Sequence, residues 1–233
     1  MSRRIAAIIR HGDYYQIPGA PSAHQPFPLN ADGEKQAAES ADSIASILRQ
    51  HNWSLNPEID CSRMLRGWQT AQIIADSLGE KLSRQLQLQS FDELAERSVG
   101  CAANLTSEQI RDIIHNDPRY TDLPDDWKSN SEYRLPLQGA ESMLEAGERV
   151  ASHLLRRMSA LPDEDTDTLK LFVGHGAAFR HAAYHLGVLS FGQLRELSMF
   201  HCQPVLIEYL PGGAWRHIGG EWKLRSEQNG FTD

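Results

Sequence analysis

Several things are scarce in this 233-residue chain. It has three cysteines, Cys61, Cys101 and Cys202, far apart and without a Cys-x-x-Cys pair. That excludes a disulfide framework and the common zinc and dithiol motifs, and a reduced, cytoplasmic protein is expected. Bases are outnumbered: 23 Lys and Arg against 31 Asp and Glu, a formal charge of -8. A general nucleic-acid binder needs a basic footprint, and a polybasic membrane anchor needs a basic cluster, so neither partner is expected. Long apolar runs are missing too. Ile5 to Ile9, behind Met1-Ser2-Arg3-Arg4, is far shorter than the roughly 7–15 residues of a signal-peptide core. Nothing approaches the about 20 apolar residues of a membrane-spanning helix. No internal repeat or low-complexity tract occurs.

What remains is an ordinary globular composition, 40% hydrophobic and 23% charged, enough for one large core in a single domain spanning 1–233. Ile5 to Ile9 does not alternate and reads as a strand buried on both faces. A loop rich in Pro, Gly and Ser follows from Asp13 to Leu29. Asn30 or Asp32 can cap a helix whose stripe is Ala37, Ala41, Ile44, Ala45 and Leu48. A strand ends near Ser62, and the helix after it carries Thr70, Ile73, Ile74 and Leu78 with Gly79 as its stop. Leu82 to Leu88 alternates as a half-buried strand. The irregular region 91–139 is read as an inserted lid or subdomain, about 97–139, with one helix from Ser107 to His115. A long helix on Met143, Val150, Leu154 and Met158 precedes a second buried strand, Leu169 to Val173. A helix at roughly 177–187, a hairpin of Val205 to Leu210 with Trp215 to Ile218, and a polar tail over about 225–233 complete the chain. Strands alternating with amphipathic helices predict an α/β fold: a three-layer α/β/α sandwich on a mostly parallel central sheet.

Both buried strands end in His beside Gly: Arg10-His11-Gly12 and Gly174-His175-Gly176. In parallel α/β sheets, ligands collect at the carboxyl ends of strands. Gly12 and Gly176 lack Cβ atoms, so backbone is expected to approach a ligand there. Arg10 supplies a forked, permanent cation. The turn from strand to helix at Ser62 to Ala71 adds a helix N-terminus that favours anions. Two Arg and two His at strand ends make a dianion pocket inside an acidic protein. A unit-charge pair at 4 Å is worth about 4 kcal/mol at an effective dielectric of 20, so a few such pairs outweigh the global sign.

These pieces together resemble the histidine phosphatase superfamily, which includes the cofactor-dependent phosphoglycerate mutases. Arg10-His11-Gly12 resembles its opening signature. Leu29 to Ala37 is similar to "L-T-x-x-G-x-x-Q-A", and Ser62 to Ala71 to "S-x-L-x-R-A-x-Q-T-A". Leu94-Ala95-Glu96-Arg97 with Gly100 resembles "L-x-E-x-x-x-G". Gly139 to Ser142 with Arg149-Val150 resembles "G-E-S" and "R-V", and Gly174-His175-Gly176 resembles "S-H-G". The order matches the family from about residue 3 to 218. The resemblance implies a phosphoryl-carrying nucleophile at His11. Arg10, Arg66 and His175 would bind the phosphoryl oxygens, and Glu96 would act as general acid and then base. The implied activity is hydrolysis of a small phosphorylated metabolite, with no metal and no cofactor. Mutase-type phosphoryl transfer and a non-catalytic phospho-ligand scaffold are the alternatives.

The departures from the family pattern bear on specificity. Asp13, Tyr14 and Ile17 stand in a stretch that often ends in a phosphate-binding Asn. His24 and Gln25 lie in an unusual loop, and Phe200-His201-Cys202 replaces Pro-Asn-Cys. His24, Gln25 and His201 are therefore candidate substrate contacts. The mutases' Tyr-Gly-x-Leu-x-Gly and Arg-Arg are absent, which favours hydrolysis. Several residues keep two readings. Arg63 can stand in for Arg66 or form a solvated ion pair. Glu93 rivals Glu96. Glu141 and Ser142 face the pocket or cap a helix. His181 and His185 have metal-ligand spacing but no third ligand nearby in sequence. The remaining histidines read as structural. A homodimer is the default form of association for such enzymes.

Overall fold

The computed structural model describes residues 2–21 and 24–225. The expected tail from residue 226 onward lies outside the described residues. Strand β1 (Arg4–Arg10) leads through a long loop to α1 (Ala31–His51), the short β2 (Ser54–Leu55) and β3 (Glu58–Ser62). Helix α2 (Leu65–Leu82) and β4 (Gln87–Phe91) follow, then α3 (Ser107–Asn116) and α4 (Met143–Ser159). After β5 (Thr168–Gly174) come α5 (Gly176–His185), a single turn α6 (Gln193–Glu196) and β6 (Leu197–Ser198). Strands β7 (Val205–Tyr209), β8 (Trp215–Gly219) and β9 (Lys223–Leu224) close the chain.

The main sheet runs β4-β3-β5-β1-β7-β8, with β2 alongside β5. β4, β3, β2, β5 and β1 are parallel; β7 and β8 join antiparallel at one edge. β1 explains its own lack of alternation. Ile5, Ala7 and Ile9 face α1 and α2, in a core with Ile44, Ile74, Leu78, Leu171 and Val173. Ala6 and Ile8 face the opposite core, with Val150, Leu154, Phe172 and Phe179 from α4, β5 and α5. Helices cover both faces, so every β1 residue from Ile5 to Ile9 is buried. The expected three-layer arrangement is the observed one.

Caps settle two local readings. The Asn30 side chain, not Asp32, accepts the Gly33 N–H and starts α1. Ser142 caps α4 in a reciprocal pair with Glu145, satisfying two otherwise orphaned donors. The expected stop at Gly79 is not the stop. α2 runs to Leu82, and Ser83 takes the left-handed conformation (φ 50°) while Arg84 donates its N–H back to the Gly79 carbonyl. The strand that follows consequently begins at Gln87 rather than Leu82. Residues 99–140 gather a separate small core of Val99, Ile110, Ile114, Leu123, Trp127 and Leu135. An isolated bridge between Val99 and Ala140 pinches its base.

Candidate active site

The parallel pairing of β1 with β5 puts Arg10 opposite Gly174, and the His11 N–H donates to the Gly174 carbonyl at 2.9 Å. The two strands therefore deliver His11 and His175 side by side, with ring centroids 5.0 Å apart. Arg66, the second residue of α2, reaches between them. Its Nε donates to His11 Nε2 at 3.0 Å and its Nη2 to His175 Nδ1 at 3.2 Å; Nη1 donates to the Gln25 carbonyl at 3.0 Å. All three side chains are buried.

Arginine only donates, so these contacts fix the tautomers. His11 carries its proton on Nδ1, donating to the Gly12 carbonyl at 2.7 Å, and its Nε2 lone pair accepts from Arg66 Nε. His175 carries its proton on Nε2, against Ser62 Oγ at 2.9 Å. Burial, and then the charge of Arg66, holds both imidazoles well below the usual histidine range. A neutral ring with a directed lone pair is the reactive form of a histidine nucleophile.

Arg10 flanks the pair. Its Nη1 donates to the Met199 carbonyl at 3.0 Å, and its charge contributes to lowering both rings. The expectation that Gly12 and Gly176 bare their backbones to a ligand is corrected. A Cβ on Gly12 would meet the Gly33 backbone, and one on Gly176 would lie 3.1 Å from Arg10 Cδ. These glycines allow the loop after β1 to press on α1 and Arg10 to lie along α5.

Glu96 arrives from the loop after β4. Its carboxylate accepts the N–H groups of Ala177 at 3.2 Å, Ala178 at 3.0 Å and Arg97 at 2.9 Å. It sits at the N-terminus of α5, where unpaired donors and the helix dipole favour an anion. The five residues expected together, Arg10, His11, Arg66, Glu96 and His175, thus meet at one end of the sheet.

The three candidate contacts divide. His24 Nε2 donates to the Glu96 carbonyl at 3.0 Å, at the edge of the cluster. Gln25 is buried, but its side chain ties the loop to itself: Oε1 accepts the Ile17 N–H and Nε2 donates to the Pro21 carbonyl. Only its backbone carbonyl reaches Arg66. His201 Nδ1 donates to the His11 carbonyl at 2.6 Å, and burial and Arg10 lower its ring to about 4. Among the open alternatives, Arg63 pairs with Asp92 at 3.1 Å and Glu93 with Arg156 at 3.3 Å, both at the surface. Glu141 holds Arg149 at 2.8 Å. His181 bonds the Ala177 carbonyl and Ser131. Among the described residues, no group of three His, Cys, Asp or Glu is placed to hold a metal ion.

Four supporting residues were quoted in motifs without a role. Thr70 Oγ1 accepts the Gly12 N–H at 3.0 Å and donates to the Arg66 carbonyl at 2.8 Å. Gln36 accepts the Asp13 N–H and Gln69 the Leu29 N–H, both at 2.9 Å. Ser62 holds His175. A polar side chain on the core-facing stripe of α2 is the signal that could have found Thr70.

Residues 7–218 match the family described as Histidine phosphatase superfamily (branch 1). The chain belongs to that family. No curated protein matches the sequence. Solved structures share the fold at low identity. "Mycobacterial hydrolase 2" aligns at TM-score 0.69 and 19% identity, covering 98% of this chain and 94% of its own. A mycobacterial glucosyl-3-phosphoglycerate phosphatase aligns at TM-score 0.64 and 18% identity, covering 95% and 97%. A phosphoserine phosphatase from Entamoeba histolytica, in complex with 3-phosphoglyceric acid, aligns at TM-score 0.62 and 17% identity, covering 97% and 98%. At these identities the likeness establishes the fold of this family member. No helix among the described residues is long and apolar enough to cross a membrane.

Proposed function

We propose that this family member is a phosphomonoesterase that acts on a small phosphorylated metabolite without a metal, through a phosphohistidine at His11. The observation that carries the proposal is the neutral, lone-pair-bearing Nε2 of His11, 3.0 Å from the Arg66 guanidinium. In the first step Nε2 attacks phosphorus. The bond from phosphorus to the ester oxygen breaks, and Glu96, which takes up a proton when the phosphate dianion binds beside it, gives that oxygen the proton. In the second step Glu96 takes a proton from water. The water oxygen attacks phosphorus, and the N–P bond breaks to release orthophosphate and restore His11.

Phosphoryl transfer depends mainly on positioning and charge stabilisation. Arg10 and Arg66 supply donors around the place where the phosphoryl oxygens would lie, and His175 joins them once its Nδ1, released by Arg66, takes up a proton as the anion enters. Substrate entry redirects the Nε of Arg66 from His11 to an oxygen, which frees the nucleophile only when an anion is present. General acid help at Glu96 is worth roughly 10²–10⁴-fold. Mycobacterial and amoebic relatives named as phosphatases support the same reaction class.

The test is hydrolysis of para-nitrophenyl phosphate by wild type and His11→Ala, with and without a chelator. The expected result is chelator-resistant turnover that falls by roughly 10⁴-fold or more in the variant, as when a nucleophile is deleted. Turnover equal in the two proteins refutes the proposal.

A further inference from the structure

The family's phosphate-binding Asn has no counterpart in the loop after His11; Tyr14 and Ile17 stand in that stretch. Tyr14 is 4% exposed, and it faces inward while the next residue, Tyr15, is 59% exposed. Arg66 Cζ lies over the Tyr14 ring, 4.4 Å from its centroid. The same ring meets His11 edge-on, with centroids 5.2 Å apart at 89°. Its backbone is pinned from both sides. Tyr14 pairs with Leu29 in an isolated antiparallel bridge, and its N–H donates to Asp13 Oδ1 at 3.0 Å.

We infer that Tyr14 is a positioning residue: its aromatic face is the platform on which the Arg66 guanidinium is held and slides when it turns from His11 to a bound phosphate. This rests on the proposed phosphatase reading of the site. The physics is specific to a ring. A guanidinium over an aromatic face is attracted by the ring quadrupole, most strongly where water is excluded. The attraction is non-directional within the plane of the ring. The guanidinium can therefore exchange hydrogen-bond partners without leaving the surface that fixes its height. Arg66 also donates hydrogen bonds to the two ring nitrogens and to the Gln25 carbonyl, which fix direction but break on exchange. Tyr14 also blocks one side of His11, so the imidazole edge bearing Nε2 keeps its aim.

The ring, rather than the phenol oxygen, is the part that acts. Tyr14→Phe is expected to keep kcat/KM within about 3-fold of wild type. Tyr14→Leu keeps bulk and apolarity but loses the quadrupole, and is expected to lose roughly 3- to 30-fold, the span of one desolvated cation–π contact. Inorganic phosphate, measured by calorimetry as a ligand, is expected to weaken in parallel. In an Arg66→Lys background the Leu substitution is expected to cost less than half as much on a logarithmic scale, because the compact ammonium lacks the planar face. Thermal unfolding of each variant separates this coupling from a general loss of folding.

Equal losses in Phe and Leu variants would assign the effect to the hydroxyl and overturn the inference. So would a Leu penalty that is unchanged in the Arg66→Lys background. The two readings fail separately. If wild type binds phosphate but turns over no ester, the phosphatase proposal falls, while Phe-rescued phosphate affinity still supports Tyr14. If wild type turns over and Tyr14→Leu matches it in rate and phosphate affinity, the platform falls alone.

Discussion

The molecule buries charge in two places, and they are built on opposite plans. On the α4 side of the sheet, Asp60 and His153 are fully buried and Lys170 nearly so. Asp60 accepts from His153 at 2.9 Å, Arg157 at 2.7 Å and Lys170 at 2.8 Å. Burial alone would raise its carboxyl, but His153, Lys170 and Arg157 together hold it below the usual range. At the strand ends, Arg10, Arg66, His11 and His175 crowd together, and the carboxylate of Glu96 is held by backbone donors instead of by a side-chain cation. There burial and positive neighbours hold both histidines well below their usual range. The first cluster is complete in itself. The second is the one that the proposed reaction would complete with an anion from outside. A buried polar network whose partners offset one another serves the fold, whereas perturbed titratable groups gathered at strand ends mark a candidate site.

The sharpest way to break this contrast is at Glu96. Glu96→Gln is expected to lower kcat by roughly 10²–10⁴-fold, read as steady-state hydrolysis of a poor leaving group, with little change in unfolding temperature. Arg66→Ala comes next, an expected loss of roughly 10²–10³-fold in kcat/KM for one charge-stabilising donor group. Its orthophosphate affinity should fall as well. Asp60→Ala tests the other side. It strands His153, Lys170 and Arg157, and deleting one member of a buried ionic set costs about 3–5 kcal/mol. Urea unfolding should show that loss while kcat per folded molecule stays near wild type. A large catalytic defect with intact stability would merge the two clusters.

The last effect is in acid. His11, His175 and His201 are held below the ordinary histidine value of 6.5, His201 to about 4. Below pH 6.5 the unfolded chain takes up protons that the folded chain refuses, so stability falls as pH falls. The slope is about 1.4 kcal/mol per pH unit for each such histidine. His201→Gln should remove one histidine's share of the slope between pH 6.5 and 4, measured by urea unfolding across pH. An unchanged slope would mean that His201 protonates freely in the folded protein.

Much of this was legible because it is local or periodic. A non-alternating run such as Ile5 to Ile9 has to be covered on both faces. Two such strands made parallel bring Arg10-His11 and Gly174-His175 to one edge. Motif order added Arg66 and Glu96, which no periodicity would select over Arg63 and Glu93. What escaped is long-range or stereochemical. His153 read as an ordinary histidine because its partner, Asp60, is 93 residues away in sequence. Gln25 read as a ligand contact because a polar loop residue gives no sign that its amide will close on Ile17 and Pro21. Ser83 gives no warning that it, and not Gly79, will take the left-handed turn. Tyr14 reads as a departure from a pattern until Arg66 is seen above it.

The central claim is that His11 Nε2 takes the phosphoryl group, and rapid-quench labelling tests it most directly. Wild type mixed with a radiolabelled aryl phosphate and quenched in alkali should carry an acid-labile, alkali-stable label on the peptide containing His11. The label should be absent from His11→Ala and persist longer in Glu96→Gln. Rapid turnover by wild type with no labelled enzyme under single-turnover conditions, or label on any other residue, would contradict the account.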